Sequence, residues 1–459
     1  MENLDNGVSL GNTRGPEPGS ASLSPGSGRS PLHVAILGGG WSGMAAAVEL
    51  AERGVPVTVF EASRTLGGRA RRVEVNGVAL DNGLHILIGA YRETLRLIAK
   101  VSGARDYGLL RGPLDLHVLG KFRLRTAPLP APLHLAAALL RAQGLHFTER
   151  LRAAQWMSQL RATNFRLDSD MPVALLLARH RQGQRALRYL WEPLCTSALN
   201  TPPERASAQV FLNVLRDSLS GSRQDSELLL PTLDLSALFP EPAARYVQER
   251  GGQVLTGSPV SLLEADGSGL MLHTASGTTR FTHAVCALPP YRVAETLAGL
   301  PPLAAIAQAV QRLTHEPIYS VYLQYPGSLS LPQPMFGLDA EIAQWVFDRG
   351  ALTGQRGLVG VVISASGRHQ ELEQELLVAR VHSELRAHFP GLVEPLWSQV
   401  IAEKRATFSC IVGVERPSQR TALPNVYLAG DYTASAYPAT LESAVRSGIA
   451  CARMILEST

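Results

Sequence analysis

Gly38, Gly40 and Gly43 form a G-x-G-x-x-G at the point where a short apolar run, Val34 to Leu37, must turn into a helix. The run has the right length for a buried parallel strand. The first glycine permits a tight turn, the second lets a pyrophosphate approach the backbone, and the third lets helix and strand pack closely. The helix, about Ser42 to Arg53, aims its free N–H groups and positive dipole end at that turn. Val57 to Phe60 reads as the second strand, and Glu61 ends it where a ribose-binding carboxylate belongs. Strand, helix, strand and acid in this order predict an α/β dinucleotide-binding domain, with Gly38, Gly40, Ser42, Gly43 and Glu61 around the ligand.

The next residues narrow the nucleotide. Leu66-Gly67-Gly68-Arg69 follows Glu61 after a short loop, where a plain nicotinamide domain would continue into another helix and strand. Near the other end, Val426 to Ala429 reads as a strand, Gly430 as a tight turn, Asp431 as an acid at the strand end, and Pro438 as the opening of a helix. Together these resemble the FAD-binding signature of the large flavoprotein family that includes amine oxidases and carotenoid desaturases. The resemblance implies FAD, with Gly67, Gly68 and Arg69 near the pyrophosphate and flavin. It implies that Asp431, after Gly430, holds a ribityl hydroxyl, and that the backbone of Val260 lies by the adenine. The helix start around Thr440 and Leu441 would face the flavin pyrimidine edge, where its dipole favours an anionic reduced flavin.

Composition sets the remaining limits. The 459 residues allow two or three domains, and 45% hydrophobic content suits a sizeable core. Cys195, Cys286, Cys410 and Cys451 are far apart and form no C-x-x-C, so neither a metal site nor a disulfide framework is expected and a reducing cytosol is the default. No apolar run approaches the roughly 18 residues of a spanning helix. The first 30 residues are rich in Gly, Ser and Pro and read as a disordered tail rather than a secretory signal. Arg111 to Leu190 holds 13 Lys and Arg against 4 Asp and Glu, a balance of +9, which leaves −5 for the rest of a chain of net charge +4. The segment includes the proline-rich apolar stretch Ala127 to Leu140 and two predicted helices. Glu149 to Asn164 places Leu151, Ala154, Met157 and Leu160 on one face, and Val173 to Leu190 carries several leucines and arginines. Basic residues beside apolar surface fit peripheral docking on an anionic leaflet, and equally a core-packing helical subdomain with a solvated basic face. No nucleic-acid motif accompanies the charge.

Asp81-Asn82-Gly83-Leu84-His85 leads into an apolar strand and then a predicted helix, Tyr91 to Val101. Gly83-Leu84-His85 with Gly89-Ala90-Tyr91 is similar to plant-type phytoene and zeta-carotene desaturases and to bacterial hydroxysqualene dehydroxylases. Tyr91 to Leu95, Trp191 to Cys195, Leu199 to Pro203 and Pro231 to Phe239 fit the dehydroxylases better. Leu84 stands where that group carries glutamine and keeps the desaturase reading open. The resemblance implies a glutathione-reductase-like, Rossmann-type flavin domain made of discontinuous segments, 31–115, 206–295 and 406–459. The basic and apolar segment 116–205 then forms a helical subdomain, membrane-associating or core-packing as above, and the strand-like runs of 296–405 suit an α+β substrate domain. The resemblance also implies reduction of an allylic isoprenoid alcohol by hydride from reduced flavin. With no second glycine-rich turn in strand-to-helix context, electrons would come from an external donor. His85, Tyr437 and Glu442 are the candidate catalytic residues, His85 as proton donor or flavin-edge contact. A non-catalytic isoprenoid escort, like the Rab GDP-dissociation inhibitors of this general fold, is the reading from another class.

Overall fold

In the computed structural model, which describes residues 32–267 and 269–458, the first apolar run is the centre of a parallel sheet. The strands are β1 (Val34–Leu37), β2 (Val57–Phe60), β3 (Gln253–Leu255), β4 (His283–Cys286) and β5 (Val426–Leu428), in the order β3-β2-β1-β4-β5. All pairs are parallel. Every residue of β1 and β2 is buried, as a sheet covered on both faces requires. Three distant parts of the chain build this sheet, so the predicted discontinuity is present in it. The tail expected over residues 1–30 lies outside the described residues.

Five helices bear on the site: α1 (Trp41–Glu52), α2 (Arg92–Ser102), α3 (Leu133–Arg141), α4 (Phe147–Ala162) and α5 (Leu441–Glu457). A side chain on Gly43 would overlap the carbonyl oxygen of Gly38, so the first turn of α1 lies against the end of β1 as the glycine pattern predicts. A Cβ on Gly448 would overlap the carbonyl oxygen of Ser42, which brings α5 into backbone contact with α1.

A second sheet of seven strands carries the 296–405 region. Its order is Trp397–Phe408, His315–Gln324, Leu358–Ser364, Trp345–Asp348, Met335–Gly337, Asp115–Val118, Phe122–Arg125. One face, with Val321, Val346, Val361 and Ile363, packs on the helix Gln374–His388 through Leu377, Val381 and Leu385. The other face presents Ile318, Trp345, Phe347, Val362 and Ser364 to a cavity. This alternation follows from the strand period of two. Residues 32–458 lie within one compact unit.

Three expectations need correction. The hairpin Asp115–Val118 with Phe122–Arg125 belongs to the second sheet, where Val118 bridges Gly337, so the 115/116 boundary cuts a strand of the substrate layer. The helix predicted from Val173 to Leu190 stops at Arg179; Arg181 takes a positive φ of 49°, and a π-helical turn follows at Leu187–Trp191. The cause lies in α4: Glu149 sits against Gly183 and accepts the Arg185 N–H at 3.1 Å, ending one helix and capping the next. In α4 itself Ala153, Trp156, Met157 and Leu160 face the core, while Leu151 faces out.

Overpacking a backbone contact cannot be relieved by a rotamer change. Gly448→Val is expected to destabilise the fold by about 3 kcal/mol or more, read from urea unfolding midpoints; a loss below about 0.5 kcal/mol would show that α5 does not rest on α1 as described.

Candidate active site

The N-termini of α1 and α5 face one cavity of about 590 Å³. Its lining includes Gly38, Gly40, Ser42, Glu61, Gly67, Gly68, Arg69, Val260, Gly430, Asp431, Thr440 and Leu441, every cofactor-binding residue named from the sequence except Gly43, which serves helix packing. A Cβ on Gly40 would meet only Gly68 Cα at 3.8 Å, and one on Gly68 only Gly40 Cα at 3.3 Å. Two chain segments therefore leave a side-chain-free cradle at the end of α1. The loops are tied together by the Gly67 N–H donating to the Gly39 carbonyl at 3.0 Å and by Trp41 Nε1 donating to Ala70 O at 3.0 Å. Glu61 accepts from the Gly39 N–H at 2.7 Å and the Ser63 N–H at 2.8 Å, so its carboxylate is held at the cavity edge by the glycine turn itself.

Arg69 and Asp431 both line the cavity. They form an ion pair with each other, and Arg69 also donates to the Ala406 carbonyl at 2.6 Å. The guanidinium thus joins the first and last flavin segments to the second sheet. The other carboxylate oxygen of Asp431 takes no hydrogen bond among the described residues. At the start of α5, Thr440 caps the helix by accepting the Ser443 N–H at 3.1 Å. A glycine cradle at a helix N-terminus, a carboxylate at the end of β2 and a second helix N-terminus at the far end fit a flavin dinucleotide in size and chemistry.

The three catalytic candidates separate. His85 lines this cavity, its Nδ1 2.7 Å from the Gly83 carbonyl. Burial pushes its imidazole below the ordinary histidine value, opposed by the Gly83 contact and aided by Arg69. The ring is then neutral near pH 7, with its Nδ1 proton on Gly83, which suits a polar contact better than a proton donor. Glu442 is 1% exposed. It accepts from the Glu93 N–H at 3.1 Å, the Thr94 N–H at 2.9 Å and the Thr94 hydroxyl at 2.7 Å, and pairs with Arg446 at 2.7 Å. These are the orphan donors at the start of α2, so Glu442 caps that helix from α5.

Tyr437 lines a second cavity of about 170 Å³. The two cavities share Ile86, Tyr91, Ser197, Ala198, Trp345 and Thr440 in their linings. The second is walled by aliphatic and aromatic side chains, among them Leu135, Leu139, Met157, Leu190, Trp191 and Phe211 from the helical segment. Three residues that sequence reasoning missed stand here. Trp345 donates to Ser197 Oγ at 2.9 Å at the junction, and Asp217 accepts the Tyr437 hydroxyl at 2.5 Å. The signal for Asp217 was an acid within the apolar helical pattern Phe211 to Leu219.

The sequence profile of the family described as "Flavin containing amine oxidoreductase" matches residues 41–456. The chain belongs to that family. This flavoprotein is 29% identical over 444 residues to a hydroxysqualene dehydroxylase of Rhodopseudomonas palustris, covering 92% of the chain and 98% of the relative. It is 25% identical over 504 residues to the zeta-carotene desaturase of Solanum lycopersicum, covering 97% of the chain and 84% of the relative. A solved oxidoreductase from Methanosarcina mazei matches the fold with a TM-score of 0.72 at 13% identity, over 93% of this chain and all of that one. Among the described residues no helix is long and apolar enough to cross a membrane, and no cluster of His, Cys, Asp and Glu could hold a metal.

Capping, rather than proton donation, predicts a distinct outcome for Glu442. Glu442→Gln is expected to lower stability by about 3 kcal/mol while leaving single-turnover reduction of substrate within about threefold, measured well below melting. A hundredfold rate loss at unchanged stability would return Glu442 to the role of acid.

Proposed function

We propose that this flavoprotein reduces hydroxysqualene to squalene. The observation that carries the reading is the junction of a dinucleotide-sized cradle with a second, apolar cavity, in a chain that aligns over 92% of its length with hydroxysqualene dehydroxylases. Gly40, Gly67 and Gly68 would admit the pyrophosphate of FAD at the start of α1, Glu61 would hold its adenosine ribose, Asp431 a ribityl hydroxyl, and the first turn of α5 the pyrimidine edge. Bound FAD in its reduced form supplies the hydride that replaces the allylic hydroxyl. The protein's part is to bind, orient and keep the reacting centre dry. The apolar cavity sequesters the isoprenoid chain, and Trp345 and Ile86 bound the point where that cavity meets the cradle. His85 is the polar contact at the flavin edge. In the overall balance the alcohol and the two electrons and two protons of reduced FAD would give hydrocarbon and water, and an external two-electron donor would restore the flavin.

Leu84 favours a second reading, carotenoid-type desaturation with hydride moving the other way. Its apolar side chain lines the cradle cavity and packs over Gly360. An anaerobic incubation of reduced, FAD-loaded protein with hydroxysqualene decides between them. Squalene formed together with flavin reoxidation is the expected result. Bound FAD without squalene would move the assignment to the desaturase, and protein purified without flavin would revive the escort.

The substrate is a membrane solute, and the protein offers a face for it. Leu133 is 56% exposed and Phe147 71% exposed, with Pro128, Leu129, Leu140 and Leu151 also outward. α3 and α4 are adjacent: Arg150 of α4 donates to the carbonyl of Leu145 at 3.1 Å and to that of Leu140, in α3, at 3.4 Å. Lys121, Arg125, Arg141 and Arg152 are exposed in the same segment. The inner sides of the same helices line the apolar cavity through Leu135, Leu139 and Met157. This face docks on an anionic bilayer and takes substrate from it. Binding to vesicles containing phosphatidylglycerol should weaken on the order of tenfold between about 0.1 and 0.5 M salt, and Phe147→Glu with Leu133→Glu should abolish it. Binding unaffected by salt or by these changes would refute the docking face.

A further inference from the structure

Each polar side chain lining the apolar cavity already carries a hydrogen bond within the protein. Ser218 donates to the Val214 carbonyl and Ser226 to that of Arg223; Ser197 accepts from Trp345 and Thr440 from the Ser443 N–H; Tyr91 meets Thr440, and Glu442 caps α2. Ser218 and Ser226 turn their hydroxyl protons back to backbone carbonyls of their own turns, whereas Tyr437 gives its proton to a carboxylate. Its hydroxyl proton is directed to Asp217 Oδ2 at 2.5 Å, and no donor among the described residues reaches its oxygen. The phenol oxygen is therefore an unused acceptor in an apolar chamber. It lies just before Thr440, which lines both cavities.

The pair is built rather than incidental. Asp217 is held from its other side by Arg216 Nε at 2.6 Å. It sits in a π-helical turn, Arg216–Ser220, and the cavity wall carries a second such turn at Leu187–Trp191, with Leu190, Trp191, Ser218 and Leu219 all lining the chamber. π-turns interrupt helices mostly at functional sites, because the wider turn re-aims side chains at a cost in hydrogen-bond geometry. The Tyr437 backbone is fixed by Arg416, which donates to its carbonyl at 2.6 Å. Burial raises the Asp217 carboxyl, but the hydrogen bonds from Arg216 and Tyr437 outweigh it and leave it below the ordinary carboxylate range. Burial, with the bond to Asp217, pushes the Tyr437 phenol up to about 12. The carboxylate is thus ionised and the phenol protonated near pH 7, which locks the proton between them and the phenol's lone pairs outward.

We infer that the Tyr437 oxygen accepts the hydroxyl proton of an isoprenoid alcohol, with Asp217 as the positioning residue that turns the phenol into an acceptor, so that this pair selects alcohol over hydrocarbon. The inference rests on the proposed dehydroxylation for the identity of the ligand, and it adds the element that tells substrate from product. Loss of the hydroxyl removes the hydrogen bond, so squalene is held by apolar contact alone and leaves. An unpartnered acceptor opposite a missing donor also disfavours a plain hydrocarbon.

The test is equilibrium binding of hydroxysqualene and squalene to the oxidised, FAD-loaded protein in detergent micelles, followed by the flavin absorbance change, which needs no turnover. Wild type should bind the alcohol about tenfold more tightly than the hydrocarbon, near the upper end for one hydrogen bond. Tyr437→Phe should erase that ratio while hydrocarbon affinity stays within about twofold, a combination that a merely structural role would not produce. Asp217→Leu should reduce the ratio with Tyr437 still present, and Asp217→Asn, which retains an acceptor for the phenol, should restore most of it. An unchanged ratio in Tyr437→Phe, or no preference in wild type, would overturn the inference. The ratio is independent of product formation: a protein that prefers the alcohol but makes no squalene would refute the dehydroxylation and leave the alcohol site standing.

Discussion

The site depends on two backbone contacts that α1 makes in its first turn. At Gly43 it meets the carbonyl that ends β1, and at Ser42 its own carbonyl meets Gly448 of α5. A helix that touches both neighbours through its backbone has no side-chain play left in its position. The consequence is electrostatic as much as steric. The first turns of α1 and α5 both end at one cavity, so two sets of unpaired N–H groups and two positive dipole ends converge on it. Such an arrangement is unfavourable without an anion between, and a dinucleotide with a pyrophosphate at one end and an electron-rich flavin at the other would supply negative charge to each. The Ser447 hydroxyl, donated to the Ala444 carbonyl and accepting the Gly430 N–H at 2.8 Å, ties α5 to the turn that presents Asp431.

The same helix reaches outward through Glu442. Its buried carboxylate accepts the first free N–H groups of α2 and pairs with Arg446 one turn along its own helix. It couples the flavin layer to the segment that follows His85. An acid three residues after a predicted flavin-facing turn looks catalytic in sequence because distance along the chain is all that sequence displays. In space it is absent from the cradle lining and spends its oxygens on the start of α2, and the acid that pairs with Tyr437 in the second cavity, Asp217, comes from more than two hundred residues earlier.

That contrast defines what was legible. The parallel sheet, its glycine turns and the two ends of the flavin cradle were readable, because each is specified by a local run: apolar strand, glycine where a Cβ would collide, acid or helix start directly after. What failed was set by partners remote in sequence. Nothing between Val173 and Leu190 announces a break; the break is made by Glu149 reaching across to Gly183. Nothing near Asp115 announces that its strand completes a sheet whose other members begin two hundred residues later. The outward turn of Leu151 escaped because a helical apolar pattern does not say whether its stripe faces protein or something else.

That last ambiguity bears on how a water-insoluble substrate can meet a polar cofactor. α3 and α4 are apolar on both sides: the inner residues complete the dry chamber and the outer ones are uncovered, with arginines around them. A helix of a water-facing protein is normally apolar on one stripe only, since each exposed leucine forfeits roughly 25 cal/mol for every Å² it fails to bury. Two-sided apolar helices become economical when the outer side is also buried, and basic residues beside it would suit an anionic leaflet as the cover. With such a cover the chamber would continue the bilayer's interior, and an isoprenoid would pass from lipid to protein without crossing water. The hydroxyl is the one group that loses hydrogen bonds on that path. If the Tyr437 oxygen, whose own proton goes to Asp217, accepts that hydroxyl, it places the substrate's reacting end by a directional contact that the aliphatic wall cannot supply.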